Sequence, residues 1–243
     1  MSTECIDAQN EEITEDFTSV IDYYNNPSIK FTLEQFLAQV KAFFELNPEL
    51  NSQPLPIVHS IKSRIKNPDH LLDKLNRKKE KGVMVTPESL FNEITDLIGV
   101  RILHLYQEQF NIIHCEIIKK IRSGDWVLGE DPKAYTWDPE AQHYFDSLGI
   151  TTEIKDSYYT SVHYLVKPNH TSGICCEIQV RTLFEEVWGE IDHSINYPHK
   201  TNSIACIEQL KVLSRLVSTG TRLTDSIFRS YKEHIERQDE SGK

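Results

Sequence analysis

The sequence predicts an α+β domain in which a small mixed sheet is flanked by helices, with helical extensions at both ends. Two observations support this fold class. Helix-like periods of about 3.6 residues alternate with short strand-like runs, in the order αβααβαββαα. The 243 residues are 39% hydrophobic and 26% charged, which is typical of a globular protein. A chain of this length can bury one sizeable core.

Two N-terminal segments precede the predicted sheet. Residues 1–30 are acidic and polar, so we expect them to be disordered or to form a loose helix. Residues 31–54 are expected to form one helix followed by a linker. Thr32 and Gln35 have the spacing of a capping box for a helix over about 33–46, and the Pro- and Asn-rich run after it is typical of a linker.

A central domain over residues 55–200 contains most of the predicted elements. Asn67-Pro68 is a helix-start signal, because Asn caps a helix and Pro fits its first position; Thr86-Pro87 repeats the pattern. Residues 122–156 are predicted to be irregular. The predicted elements are a strand at 57–66, helices at 68–80 and 87–95, a strand at 97–103, a helix at 107–121, strands at 159–167 and 174–181, and a helix at 183–195.

The C-terminal segment, residues 201–243, is expected to form one long helix over about 203–233. Its apolar residues recur at helical spacing and form a stripe, which comprises Leu210, Leu213, Val217, Ile227 and Tyr231. Such a stripe either packs within the chain or forms an interface between two copies, and both interpretations stay open.

Composition excludes several classes of protein. No run approaches the roughly 18–20 apolar residues that span a bilayer. The first sixteen residues carry six acids and no base, unlike a secretory signal, so we expect a soluble, cytoplasmic protein with no membrane partner. The net charge of −11 argues against a broad nucleic-acid surface. The five cysteines have no CxxC spacing, which disfavours a disulfide framework or a zinc knuckle.

One segment of this acidic chain is strongly basic. Between Lys62 and Lys81 there are eight bases and three acids. Arg64 and Lys66 alternate on a predicted strand and share a face, and Lys74 lies on the helix that follows. Cations that converge from a strand and a helix are suited to hold a polyphosphate. The same pattern also fits a solvated basic helix face.

Two acids stand beside predicted apolar strands. Asp96 precedes the strand that contains Arg101, and Glu177 lies near the start of the strand that contains Arg181. Magnesium is held in nucleotide enzymes by one or two carboxylates together with phosphate oxygens, so the two acids are candidate ligands. The alternative is that each acid forms an ion pair with the arginine on its own strand.

A third group lies on the strand that begins near residue 159. Tyr159, Ser161 and His163 alternate and therefore share one face, where an aromatic ring and an imidazole could contact a base or a phosphate. A packed sheet face is the alternative. The P-loop pattern and the GxGxxG, GxSxG and HExxH motifs are absent from the sequence, which leaves the basic segment as the better phosphate-binding candidate.

Taken together, these motifs resemble the RelA/SpoT-type alarmone synthetases. The resemblance covers about residues 55–200. The matching blocks are Arg64-Ile65-Lys66 with Lys74, Asp96-Leu97-Ile98-Gly99-Val100-Arg101, Lys155 ahead of Tyr159-Thr160-Ser161-Val162-His163, Glu177-Ile178-Gln179-Val180-Arg181-Thr182, and Glu186-Val187-Trp188-Gly189-Glu190-Ile191-Asp192-His193. Each block alone is weak, but five in this order are specific.

The resemblance implies a nucleotidyltransferase-like fold and a reaction in which pyrophosphate passes from ATP to the 3′-hydroxyl of GDP or GTP. It implies that Asp96 and Glu177 are catalytic and bind Mg²⁺, with Glu177 accepting the hydroxyl proton. The implied ATP-binding residues are Arg64, Lys66, Lys74 and Arg101. The implied acceptor-binding residues are Lys155, Tyr159, His163, Gln179 and Arg181, with Tyr159 stacking on the guanine.

The chain departs from the family pattern beside the stacking tyrosine. Tyr158 stands where the family usually has Gly, and Thr160 stands where a long polar or basic residue is common. A tyrosine resists positive φ and adds bulk, so we expect a reshaped acceptor pocket. The donor half matches well.

Other functions within the resemblance stay open. Some relatives are toxins that pyrophosphorylate the tRNA 3′ end, which would add tRNA and an antitoxin as partners. A non-catalytic nucleotide-binding regulator on the same fold is the third hypothesis. The sequence has no His-Asp dipeptide and therefore resembles a small, synthetase-only member, whose C-terminal helices would mediate a homo-oligomer.

Overall fold

A six-stranded mixed sheet organises the described part of the chain, which is residues 17–53, 55–197 and 200–241 of the computed structural model. The strands are β1 Ser60–Ile65, β2 Ile98–His104, β3 Val127–Thr136, β4 Thr151–Ile154, β5 Ser161–Lys167 and β6 Cys176–Thr182. The helices are α1 over 17–25, α2 Pro27–Leu46, α3 Pro48–Asn51, α4 Pro68–Glu80, α5 Leu90–Glu93, α6 Gln109–Arg122, α7 Pro139–Ser147, α8 Leu183–Asn196 and α9 Ile204–Ser241. This arrangement confirms the predicted α+β class.

The strand order brings β2 and β6, which are far apart in the sequence, side by side in the sheet. The order is β1-β2-β6-β5-β3-β4, in which β2 and β6 are parallel and β1 and β5 run antiparallel to them on either side. Along β2 and β6, alternate residues such as Val100 and Ile178 are buried in the core, where α2 packs on the sheet. The residues between them, including Arg101, Glu177 and Gln179, project from the opposite face. That second face carries the candidate site.

Several helices start with the same local device. A short polar residue precedes a proline, and its side chain accepts a hydrogen bond from the backbone N–H of the second helical residue. The cap residues are Asn26, Asn47, Asn67 and Asp138. The prediction for α4 is confirmed at Asn67, and the capping box at Thr182 and Glu185 is confirmed for α8.

The N-terminal region is more ordered than the sequence indicated. Residues 1–16 lie outside the described residues, but 17–25 are helical, and Phe17 and Tyr24 are fully buried. The next helix begins after Asn26, not at Thr32, because the Asn-Pro start satisfies the first N–H groups one and a half turns earlier.

The prediction that residues 122–156 are irregular was wrong. They form β3, α7 and β4. The strand β3 carries Gly129, Glu130 and Pro132, and its register against β5 shifts twice, so the period-two signal is broken along it. The helix α7 begins with Asp138-Pro139, the same signal that identified α4. That start was visible in the sequence and was missed.

Two other helices differ from prediction. The helix predicted over 87–95 is confined to Leu90–Glu93, because Thr86 and Ser89 exchange hydrogen bonds in a turn. The C-terminal helix extends from Ile204 to Ser241. No helix in the described ranges has the length and apolar character needed to cross a membrane.

The apolar stripe predicted on the C-terminal helix divides into two parts. Leu210 and Val217 are buried within the chain, whereas Ile227 and Tyr231 are more than half exposed. The packed part therefore docks α9 on α8. Self-association through the exposed part stays a prediction.

Candidate active site

Four neighbouring strands bring most of the predicted site residues onto one face of the sheet. Arg64 lies on β1, Arg101 on β2, and His163 on β5, while Glu177, Gln179 and Arg181 lie on β6. Lys66 and Asp96 stand next to the ends of β1 and β2, and Lys74 reaches them from α4. The cleft is therefore assembled from segments more than one hundred residues apart.

Asp96 is held between two lysines. Its Oδ2 accepts a hydrogen bond from Lys66 Nζ at 2.8 Å, and its Oδ1 accepts one from Lys74 Nζ at 2.6 Å. Burial alone would raise the pKa of this carboxyl, but the two ammonium groups outweigh burial and lower its pKa to about 2. Asp96 is thus ionised at neutral pH. The two lysines are fixed at the sheet edge by the same contacts.

Glu177 has a different set of partners. His163 Nδ1 lies 3.1 Å from Glu177 Oε1, and Gln179 Nε2 donates to Oε2 at 2.8 Å. Burial raises the pKa of Glu177, yet the hydrogen bond and charge interaction with His163 lower it overall. The hypothesis that Asp96 and Glu177 simply pair with the arginines of their own strands is wrong, because other groups hold both carboxylates.

The two carboxylates lie near each other. Gly99, three residues after Asp96, is in register with Glu177 across the parallel pair β2–β6, and the charge of Asp96 acts to raise the pKa of Glu177. The Arg64 side chain lies over Gly99, because a Cβ on Gly99 would be 3.9 Å from Arg64 Nε. A Cβ at Gly99 would thus be in ordinary van der Waals contact with the arginine. A cavity of about 210 Å³ lies here between β1, β2 and β6.

A hydrogen-bonded chain runs from Tyr159 to Glu177. The Tyr159 hydroxyl lies 3.0 Å from His163 Nε2. Burial raises the pKa of Tyr159, so the hydroxyl keeps its proton at neutral pH. At the other ring nitrogen, His163 Nδ1 lies 3.1 Å from Glu177 Oε1. Tyr159 and His163 thus fix the orientation of the carboxylate that the resemblance assigns as base.

Glu186 is a charge hub that sequence reasoning did not assign to the site. This carboxylate is 5% exposed. It accepts hydrogen bonds from Lys62 Nζ at 2.7 Å and from Arg101 Nη1 at 2.9 and 3.1 Å, and it also pairs with Arg181. Burial raises the pKa of Glu186, but these three cations lower it to about 2. The sequence signal for Glu186 is a second acid directly after Glu185. The capping box uses Glu185, so Glu186 is left for another role.

Arg181 is packed tightly into this network. It is 4% exposed, and its guanidinium carbon lies 5.7 Å from the centre of the Tyr159 ring. A Cβ on Gly189 would come within 2.7 Å of Arg181 Nη1, so the arginine occupies the space that a side chain would need on α8. The helix approaches the sheet closely here because that residue is glycine.

Lys155 is separated from the other predicted residues. Its ammonium group pairs with Glu153 and lies 4.4 Å from the centre of the Tyr135 ring. The Tyr135 ring in turn contacts His163, with ring centres 4.8 Å apart. The Tyr135 ring therefore separates Lys155 from the His163 imidazole. Contact between Lys155 and an acceptor nucleotide stays a prediction.

Tyr158 has a left-handed backbone conformation. Its φ is +60°, and it is the one non-glycine residue with positive φ within the described ranges. Such a conformation is strained for a residue with a Cβ. The ring packs edge-on against Trp137 with centres 5.2 Å apart. Tyr158 also lines a cleft of about 730 Å³ together with Tyr159, Gln179 and Arg181. A reshaped acceptor pocket stays a prediction.

The fold and these residues together define a family. The family model described as "Region found in RelA / SpoT proteins" matches residues 63–202, more than half of the chain. The chain belongs to the RelA/SpoT family, as the sequence motifs predicted.

Individual relatives are consistent with this assignment. GTP pyrophosphokinase YwaC of Bacillus subtilis (strain 168) is 26% identical over 147 residues, which is 58% of this chain and 59% of that protein's length. The match therefore spans less than two thirds of that relative.

Solved structures share the fold. The small alarmone synthetase 1 of Bacillus subtilis, crystallised with its product pppGpp, is 21% identical, with a TM-score of 0.60 over 83% of this chain and 93% of that chain. A GTP pyrophosphokinase family protein from Streptococcus pneumoniae is 17% identical, with a TM-score of 0.63 over 88% and 95%. At these identities the likeness establishes the architecture.

The ion pairs of Asp96 predict an acid-dependent stability difference. The pKa of Asp96 is about 2 in the folded protein and near 4 in the unfolded chain. Its ionised form therefore stabilises the folded state by about 2 kcal/mol above pH 4, and this stabilisation is lost as the pH falls towards 2. The gap in unfolding free energy between the wild type and Asp96→Asn should therefore shrink between pH 4 and pH 2, as urea denaturation would measure. The exposed Asp22→Asn variant gives the baseline. A gap that stays constant over this range would contradict the assignment.

Glu186→Gln should destabilise the protein by about 3–5 kcal/mol, because three cations lose a buried counter-charge. Glu190→Gln is the matched control on the same helix. Glu190 also contacts Arg101, at 2.8 Å, but its side chain is 55% exposed, so we expect a loss below about 1 kcal/mol. Chemical denaturation at pH 7 measures both variants. Equal losses in the two variants would show that Glu186 is not the hub.

Proposed function

We propose that this protein transfers pyrophosphate from ATP to the 3′-hydroxyl of GDP or GTP and so makes (p)ppGpp. The observation that carries the proposal is the pair of ionised carboxylates, Asp96 and Glu177, beside fixed cations at neighbouring strands of a RelA/SpoT family chain. The relatives named above include a GTP pyrophosphokinase and a synthetase crystallised with pppGpp, which supports the same chemistry.

The donor side of the proposed site is built from cations. Arg64, Lys66, Lys74 and Arg101 would contact the ATP phosphates. In this reaction the acceptor oxygen attacks the β-phosphorus of ATP, the bond between the α,β-bridging oxygen and the β-phosphorus breaks, and AMP leaves. Transfer of phosphoryl groups depends on charge neutralisation and in-line positioning more than on covalent catalysis. Cations held on strands and on a helix meet that requirement without rearranging.

Glu177 is the proposed base. The acceptor hydroxyl loses its proton as it attacks, and an ionised carboxylate that is already oriented by His163 and Gln179 can accept that proton. Its lowered pKa keeps it in the accepting form at neutral pH. The hydrogen bonds from two side chains fix the carboxylate while leaving lone pairs for the acceptor.

The carboxylates also fit a magnesium ion. Asp96, just before β2, and Glu177, on the adjacent strand β6, would supply hard oxygen ligands. Mg²⁺ takes one or two carboxylates, and phosphate oxygens and water complete its shell. Groups of three or more metal-binding side chains are absent from the described residues, so phosphate oxygens would have to contribute. When bound, the ion would neutralise phosphate charge. Lys66 and Lys74 would then share Asp96 with the metal.

The acceptor would occupy the cleft of about 730 Å³ that Tyr159, Gln179 and Arg181 line. The Tyr159 ring would stack on the base of the acceptor. Basic residues at the rim of this cleft, including Lys200 and Lys211, would face the acceptor phosphates. Guanine as the base is inferred from the family. Tyr158, with its positive φ, lines the cleft beside Tyr159 and bears on which base the cleft accepts.

Purified protein incubated with magnesium and ATP labelled on its β-phosphate tests the function. We expect label to enter a guanosine tetra- or pentaphosphate when GDP or GTP is added, with release of AMP. Deacylated tRNA is a separate arm, and label on tRNA would indicate the toxin-type reaction instead. No transfer to any acceptor would leave the regulator hypothesis and overturn the proposal.

Asp96→Ala should lower turnover by at least about 10²–10³-fold, because the donor lysines lose the carboxylate that positions them and the metal loses a ligand. Asp22→Ala, on the exposed face of α1, is the control and should keep wild-type turnover. Circular dichroism verifies the fold of both variants. Turnover of Asp96→Ala within tenfold of wild type would remove Asp96 from the catalytic role.

A further inference from the structure

A second cavity lies behind the acceptor cleft and has no part in the proposed reaction. It encloses about 230 Å³ between the start of α7, the face of α9 and the loop before α6. Tyr158 and Trp188 line both spaces and form the wall between them. Pockets for drug-sized ligands usually measure about 300–1,000 Å³, so this cavity suits a smaller molecule.

The walls of this inner cavity are aromatic. Trp137, Tyr144, Tyr158 and Trp188 all line it. Aromatic faces and edges favour a planar, unsaturated ring system over a flexible aliphatic one. The strained backbone of Tyr158 holds its ring against Trp137, which keeps that side of the wall in place.

The charges of the inner cavity exclude a phosphate-bearing ligand. Its lining contains five acids and two arginines. Arg222 already pairs with Asp138 at 3.1 Å and with Glu140 at 2.9 Å, and Arg229 pairs with Glu108 at 3.0 Å. An anion entering here would face an excess of carboxylates and would have to break existing ion pairs. The lining therefore disfavours an anionic ligand.

Two neighbouring residues that line the inner cavity, Gln107 and Asp225, have hydrogen-bonding capacity to spare. Gln107 Nε2 is buried and has no hydrogen-bond partner among the described residues. The Asp225 carboxyl, 7% exposed, accepts the backbone N–H of Glu108 at 3.0 Å on Oδ1 and also lies against the backbone N–H of Gln107. Gln107 thus has a free donor, and the neighbouring Asp225 carboxyl has lone pairs left to accept a further hydrogen bond. Burying an unpaired amide costs free energy that a ligand carbonyl would recover.

From this juxtaposition we propose that the inner cavity binds an uncharged planar heterocycle with a lactam edge, in which a ring C=O stands beside a ring N–H. The carbonyl accepts the Gln107 amide hydrogen, and the ring N–H donates to the Asp225 carboxylate. The heterocycle lies among Trp137, Tyr144 and Trp188. A nucleobase of the hypoxanthine type has this edge and this size, whereas a nucleotide brings phosphates that the acidic lining repels.

Tryptophan fluorescence measures the binding without any turnover, so it stands whether or not the proposed reaction is observed. Trp137 and Trp188 line the inner cavity, while Trp126 lies in the core against Phe43 with ring centres 5.0 Å apart. Titration with hypoxanthine should give a saturable change in emission. Adenine, which lacks the lactam edge, and inosine monophosphate, which carries a phosphate, should each bind at least tenfold more weakly.

Variants locate the ligand. Gln107→Leu, which keeps the volume and removes the donor, should weaken hypoxanthine binding at least tenfold, and Gln107→Glu should do the same. Asp22→Asn is the surface control and should bind as the wild type does. Tyr159→Ala, on the acceptor side of the wall, should change the affinity by less than threefold.

Three outcomes would overturn the inference: no saturable signal with hypoxanthine at millimolar concentration, unchanged affinity in both Gln107 variants, or a tenfold loss in Tyr159→Ala. The last would place the ligand in the acceptor cleft. Thermal unfolding of each variant confirms that a lost signal does not come from a lost fold.

Discussion

Five cationic side chains converge on two carboxylates, the partly buried Asp96 and the buried Glu186, and the rest of the site depends on that balance of charge. Asp96 holds Lys66 and Lys74, while Glu186 gathers the three cations of β1, β2 and β6. Without these acids the cations would repel one another across strands about 5 Å apart. With them, the cleft keeps a fixed positive wall that is already in place when a polyphosphate arrives.

The hydrogen bonds connect the two halves of the site. From Tyr159 the contacts pass through His163 to Glu177, then through Gln179 to Arg101, whose Nε lies 3.4 Å from Gln179 Oε1. Each member is held by its neighbours in this series of contacts. The Tyr159 ring and Arg101 are therefore positioned by one network, which gives the proposed base, Glu177, a single orientation.

The acceptor side is where this chain differs most from its family pattern. Tyr158 keeps the positive φ that glycine would adopt without strain, and its ring is stabilised by Trp137. The bulk that this adds separates the acceptor cleft from the inner cavity behind it. A single substitution at a strained position thus shapes two neighbouring spaces, while the donor side, built on Asp96 and its lysines, is unaffected.

The sequence by itself determined the local elements and the family motifs. Asn67-Pro68 and the Thr182–Glu185 capping box start α4 and α8, because caps depend on residues within a single turn. Only the tertiary structure decided which partners the site residues take. Glu186 meets Arg101 and Lys62 across 85 and 124 residues of chain, and the order of strands, not the spacing of residues, brings them together. The broken pattern of residues 127–136 likewise became the strand β3 only through pairing with β5.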